Sequence, residues 1–90
     1  MAIKNEIFHK KFQEVPNFDY LKKIKKEILK DEKKIKGVEF SLKSVIEVDT
    51  PLLHFLLSLK QYMTKQKKSF SLSNMPFSGD ELMKLYDIKL

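Results

Sequence analysis

The segment from Val38 to Leu59, VEFSLKSVIEVDTPLLHFLLSL, constrains the fold more than any other part of the chain. Its first residues alternate, because the apolar Val38, Phe40 and Leu42 are separated by polar side chains. This period-two pattern is typical of a strand with one buried face. A short polar turn and a leucine-rich run follow. The segment therefore predicts a strand that passes through a turn into a helix.

The turn contains a helix start. Thr50 suits the N-cap position, because its hydroxyl can accept a hydrogen bond from a free backbone N–H. Pro51 suits the first helical position, where no N–H is needed. Apolar residues then recur at helical spacing as far as the predicted end of the helix near Lys65. These residues are Leu52, Leu53, Leu56, Leu57, Leu59 and Met63.

The N-terminal third predicts a second strand–helix pair. We expect a strand at Glu6–Phe12, ended by Pro16, and then a helix capped by Asn17 or Asp19. Gly37 is expected to permit the turn into the next strand. The apolar stripe of this helix consists of Phe18, Leu21, Ile24 and Ile28.

The C-terminal third predicts a third pair. Ser69–Asn74 alternates again, and Phe70 and Leu72 are expected to point inward. Ser78 and Glu81 have the spacing of a capping box, which predicts Ser78 as the N-cap of a last helix. The buried side of that helix is expected to carry Leu82, Leu85, Tyr86 and Ile88. Five phenylalanines fall on predicted core positions: Phe8, Phe12, Phe40, Phe70 and Phe77.

The predicted element order is β-α-β-α-β-α. Strands that alternate with helices favour parallel pairing within one sheet. We therefore predict one small α/β domain over residues 1–90, with a mixed sheet of three to four strands and helices mainly on one face.

Composition excludes several classes of function. The chain of 90 residues has no cysteine, so it can hold neither a disulfide nor a thiolate-bound metal. No apolar run approaches the ~20 residues of a membrane span, and no signal-peptide pattern opens the chain, so we expect a cytoplasmic protein. We find no pattern for a catalytic site, a metal site or a cofactor, and we expect no enzyme activity.

The net charge of +6 is the difference between 18 basic and 12 acidic residues, and all of the basic residues are lysine. Reading of bases and bidentate binding of phosphate prefer the planar fork of arginine. We therefore expect no specific nucleic-acid site. A lysine-rich nucleic-acid-binding protein remains the alternative function.

Thr50 has two possible roles. The structural role is that of an N-cap. The functional role is phosphorylation, because a phosphate at this position would meet the free N–H groups and the positive dipole end of the helix. Glu47 and Asp49 lie beside it and would repel the phosphate.

The run SLKSVIEVDTPLL, which starts at Ser41, resembles the STAS domain family, the fold of anti-sigma-factor antagonists. The family pattern is roughly D-L-S-x-V-x-x-h-D-S/T-x-G-L, where h is apolar, followed by a leucine-rich helix. Ser41 stands where the family often has aspartate, and Leu52 where it often has glycine. The matching positions are Ser44, Val45, Val48, Asp49, Thr50 and Leu53.

The resemblance implies a non-catalytic bacterial regulatory or adaptor module that binds another protein. In the family, the Ser/Thr after the aspartate is phosphorylated by an anti-sigma kinase, which makes Thr50 the candidate here. A related branch serves as an accessory subunit of ABC transporters. The expected partner is thus an anti-sigma kinase-like protein or an ABC-transporter component, and a dimer is possible. The expected contact residues are Glu47, Asp49, Thr50, Pro51, Leu52 and Leu53.

Overall fold

The computed structural model describes residues 3–88 and shows strands alternating with helices. The strands are β1 (Ile3–Lys4), β2 (Ile7–Lys11), β3 (Gly37–Ser41) and β4 (Ser69–Ser73). The α-helices are α1 (Phe18–Lys30), α2 (Thr50–Lys65) and α3 (Phe77–Leu85). A short 3-10 helix at Glu32–Lys34 follows α1.

The four strands form one mixed sheet in the order β1-β2-β3-β4. The pairs β2–β3 and β3–β4 are parallel, and the two-residue β1 is antiparallel to β2. Phe8, Val38 and Phe70 are aligned across the three parallel strands. The predicted α/β class and sheet are confirmed. The predicted strand at Glu6–Phe12 is also confirmed, as β2.

The core lies between one face of the sheet and the helices. Phe8, Val38 and Phe40 are buried on that face, and the ring centroids of Phe12 and Phe40 are 4.9 Å apart. The helices contribute stripes at the predicted spacing. The buried residues of these stripes are Leu21, Ile24, Ile28, Leu52, Leu53, Leu56, Leu59 and Met63.

The opposite face of the sheet is polar and open to solvent. His9, Glu39 and Ser71 lie in register across it, and all three are exposed. Parallel sheets are usually covered on both faces. This sheet differs, because its second face is exposed. The helices cover one face only, as predicted, and the domain has two layers.

Gly37 has a different role from the one predicted. It does not adopt a positive φ, so the turn does not require glycine. A Cβ at Gly37 would lie 1.8 Å from Ser69 Oγ and 2.9 Å from the carbonyl oxygen of the same serine. Glycine is needed here because β3 and β4 approach closely at their first pair of residues.

Several apolar residues that we expected in the core are on the surface. Phe18 is the first residue of α1, before the buried stripe begins at Leu21, and 75% of its surface is exposed. In α3 the side that faces the core carries Gly79, Leu82 and Met83, and Phe77 lies on the opposite side. Leu85 is the last residue of the helix and Tyr86 is its C-cap residue. All three of Phe77, Leu85 and Tyr86 are exposed.

Phe70 is half-buried, because β4 is the last strand of the sheet and the core covers only part of its ring. The ring lies edge-on to Phe40, with centroids 5.8 Å apart. Phe70 therefore lies beside Phe40 as predicted, but at the margin of the core, and Leu56 is fully buried in the same core.

Candidate functional site

The predicted site lies at the end of the sheet where the parallel strands finish and the helices begin. Each of β2, β3 and β4 is followed by a loop and then by the N-terminus of α1, α2 or α3. Parallel strands joined in this way bring their carboxyl ends, and the helix N-termini, to one edge. At this edge the loop between β3 and α2 is joined to the loop between β2 and α1, because the Ile46 N–H donates a hydrogen bond of 3.1 Å to the Glu14 carbonyl.

Asp49, and not Thr50, is the N-cap of α2. The backbone of Asp49 is extended, and its Oδ1 accepts a hydrogen bond from the Leu52 N–H at 2.9 Å. A carboxylate forms a stronger, charge-assisted bond than a threonine hydroxyl at such a position. Thr50 and Pro51 then occupy the first two helical positions, where backbone N–H groups have no partner within the helix. The predicted cap residue was wrong by one position.

The six predicted contact residues divide into an exposed and a buried group. Glu47, Asp49, Thr50 and Pro51 are exposed. Leu52 is 1% exposed and Leu53 2% exposed. The prediction that Leu52 and Leu53 contact a partner was therefore wrong. Both side chains point into the core from the first turn of α2.

Ser78 does not cap α3, because α3 begins at Phe77 and its N-cap position is Pro76. The Ser78 hydroxyl instead accepts a hydrogen bond from the backbone N–H of Val48, at 2.9 Å. Next to it, a Cβ at Gly79 would lie 3.0 Å from the Val48 side chain. The serine and the glycine therefore attach α3 to the turn before α2.

A groove of about 380 Å³ lies between this turn and α3, and we call it the α3 groove. Thr50 lines it together with the carboxylates of Glu47, Asp49 and Glu81. Its apolar lining is Val48, Leu82 and the exposed Leu85. The Thr50 hydroxyl thus sits in an acidic setting at a helix N-terminus.

A larger groove of about 780 Å³ lies on the other side of the α2 N-terminus, between α1 and α2, and we call it the α1 groove. Asp49 lines both grooves, while Pro51 lines only this one. The N-terminus of α2 is therefore a ridge between two grooves. The apolar residues that line the α1 groove are Val15, Pro16, Phe18, Leu21, Pro51 and Phe55.

The sequence pattern did not predict the apolar surface at this edge of the sheet. Most large, exposed apolar residues of the described chain lie in the strand–helix loops or at the first residue of a helix. These are Val15, Phe18, Ile46 and Phe77. The signal was available in part, because Val15 and Ile46 fall outside the predicted strands and helices.

Among residues 3–88, no group of three or more histidine, aspartate or glutamate side chains is arranged to hold a metal ion. No helix in that range has both the length and the apolar character needed to cross a membrane.

A scan against protein-family models matches no family, and a search of curated proteins gives no significant match.

Proposed function

We propose that this protein is a non-catalytic, protein-binding module of the STAS type, and that its partner contacts the exposed N-terminus of α2. The main support is the ridge described above, on which Thr50 and Pro51 stand between two grooves with apolar linings. The α3 groove and the α1 groove together provide an apolar surface with a polar rim, which is typical of a protein interface.

Thr50 is the proposed control point of this interface. A phosphate on its hydroxyl would add about two negative charges at a helix N-terminus, where the dipole favours an anion. Glu47 and Glu81 line the same groove. The added charge would therefore oppose an acidic partner surface and favour a basic one, without a change in the fold.

The resemblance to the STAS family suggests two partner classes, an anti-sigma kinase-like protein or a component of an ABC transporter. We propose that the protein meets such a partner in the cytoplasm. The two classes differ in what Thr50 would do, because only a kinase would modify its hydroxyl.

The test is partner capture from a lysate of the source cells by immobilised wild type, Thr50→Asp and Glu47→Lys. Thr64→Asp is the matched control, because Thr64 is also exposed and lies near the other end of α2. We expect both site variants to change capture of the same partner and Thr64→Asp to leave it unchanged. An aspartate in the first helical turn is favourable, so circular dichroism should stay near wild type.

The proposal fails if the two site variants recover every partner as well as wild type does. It also fails if Thr64→Asp changes capture as strongly as Thr50→Asp, since charge alone would then explain the effect.

A further inference from the structure

The α1 groove continues along the seam between α1 and α2. A second pocket of about 330 Å³ shares Lys25, Phe55 and Ser58 with it and extends to Leu29 and Tyr62. We call the two together the α1–α2 groove. Its floor is apolar, because the buried Leu21 of α1 and Leu59 of α2 line it.

The α1 side of this groove presents side chains at helical spacing. Phe18, Lys22, Lys25 and Leu29 follow one another at intervals of three or four residues, so they lie on one face of the helix. A helix of 13 residues is about 20 Å long. The groove is therefore long enough to hold a partner helix of about three to four turns along its apolar floor.

The residues that line the groove carry more positive than negative charge. Lys22 and Lys25 line it, and Asp49 is its single acidic residue. The ion pairs within residues 3–88 join His9 to Glu39 and Lys36 to Glu6, so neither lysine of the groove has a carboxylate partner there. Two lysines beside an apolar floor complement a ligand that is apolar on one side and acidic at its margins.

We propose that the α1–α2 groove binds an acidic amphipathic helix of the partner protein. Apolar residues of that helix would pack against Phe18, Leu29 and the floor, and its carboxylates would lie beside Lys22 and Lys25. This inference rests on the proposed function in one respect, that the chain binds another protein. It assigns the partner's contact segment to a surface that does not include Thr50.

The test uses a designed, fluorescein-labelled peptide of about four helical turns, with leucines along one face and glutamates elsewhere. A second peptide carries lysine in place of every glutamate. Fluorescence anisotropy should show binding of the acidic peptide to the wild-type protein, weakening as salt is raised. The basic peptide should bind about tenfold more weakly or not at all.

Matched variants of the protein locate the binding surface. Phe18→Ser should weaken binding of the acidic peptide about tenfold. Phe77→Ser is its control, because Phe77 is also the first residue of a helix and is 73% exposed, against 75% for Phe18. A double variant with both Lys22→Glu and Lys25→Glu should abolish binding of the acidic peptide. The control pair with the same charge change is Lys23→Glu and Lys26→Glu, on residues of α1 outside the groove.

Three outcomes would overturn the proposal, and two of them would identify a different occupant of the groove. The proposal is overturned if the control pair weakens binding as much as the groove pair, since net charge would then be the cause. It is also overturned if the acidic peptide does not bind and phosphatidylglycerol-rich vesicles do, in a manner that Phe18→Ser abolishes. A wild-type dimer in sedimentation that Phe18→Ser dissociates would instead make a second copy of this chain the occupant.

The inference and the proposed function can fail separately. Thr50→Asp should bind the acidic peptide as wild type does, because Thr50 does not line the α1–α2 groove. Loss of peptide binding by Phe18→Ser with unchanged capture by Thr50→Asp would support the groove and contradict the control point.

Discussion

The Ser78 hydroxyl accepts a hydrogen bond from the backbone N–H of Val48, 2.9 Å away and 30 positions earlier in the chain. The bond joins the turn before α2 to the first turn of α3, in a partly buried position. We expect Ser78→Ala to lower the free energy of unfolding by about 1–3 kcal/mol, because the Val48 N–H loses its partner.

Urea unfolding measures this loss, and hydrogen exchange at the Val48 amide should become faster. Ser71→Ala is the control. Ser71 is exposed on the open sheet face, so its removal should change stability by less than about 0.5 kcal/mol. Equal losses for the two serines would contradict a specific role for Ser78.

The capping arrangement of α2 predicts that alanine substitutions at two neighbouring residues will differ in their effect on stability. Asp49→Ala removes the oxygen that accepts from the Leu52 N–H, and should destabilise the protein by about 0.5–2 kcal/mol. Thr50→Ala should change stability by less than about 0.5 kcal/mol, because Thr50 is an exposed residue within the first turn. Thermal or urea unfolding of both variants decides. A larger loss for Thr50→Ala would restore Thr50 as the cap.

Leu56 and Leu57 are adjacent in α2 and differ in burial. Leu56 is fully buried against the sheet, so Leu56→Ala should lower the free energy of unfolding by about 2–5 kcal/mol. Leu57 is half-buried, and Leu57→Ala should cause a clearly smaller loss. Both losses follow from urea unfolding curves. A Leu56→Ala loss no larger than that of Leu57→Ala would contradict the orientation of α2 on the sheet.

The close approach of Gly37 to Ser69 makes these two positions interdependent. Gly37→Ala should destabilise the protein by about 1–3 kcal/mol, because the new Cβ would overlap Ser69 Oγ. Ser69→Ala removes that oxygen and should have little effect alone, since Ser69 is exposed. In a double-mutant cycle, Ser69→Ala should recover part of the Gly37→Ala loss. Additive effects would mean that the side chain of Ser69 does not cause the overlap.

We expect ionisation of Tyr62 to lower the stability of the folded protein as the pH rises into the alkaline range. Its hydroxyl donates to the Glu32 carboxylate, and this hydrogen bond, together with partial burial and the nearby negative charge, raises the pKa of Tyr62. The folded protein then holds the phenol proton more tightly than the unfolded chain does. The stabilisation is fully present below the unfolded pKa of about 10, and it is lost as pH rises through the folded pKa.

The Tyr62→Phe variant lacks the phenol hydroxyl, so its stability provides the comparison with wild type. The stability difference between wild type and Tyr62→Phe should be constant from about pH 8 to the onset of tyrosine ionisation, and should then shrink. Urea unfolding at a series of pH values measures the difference, and phenolate absorbance of the two proteins locates the titration. A difference that grows above pH 10 would contradict the raised pKa.

Local pattern was enough to predict the elements whose burial follows a regular period. The alternation of Val38, Phe40 and Leu42 and the leucine spacing of α2 gave the correct elements, because each has one continuous buried side. The two-residue β1 could not be predicted, since two residues show no period.

The errors at the helix starts have a physical cause. Asp49 and Thr50 are both good N-cap residues, and spacing alone does not show which backbone is extended. Ser78 has the spacing of a cap but bonds to Val48, a contact that only the tertiary structure creates. The α1–α2 groove was beyond prediction for the same reason, because it exists only where two distant segments lie side by side.

The open face of the sheet has a practical use. Residues such as Ser71 on that face are exposed and are not packed under the helices, and the sequence contains no cysteine. A Ser71→Cys variant would therefore carry a unique thiol on the far side of the sheet from the helices. Coupling that thiol to a sensor chip or a dye would hold every molecule in one orientation, with the N-terminus of α2 and its two grooves left accessible.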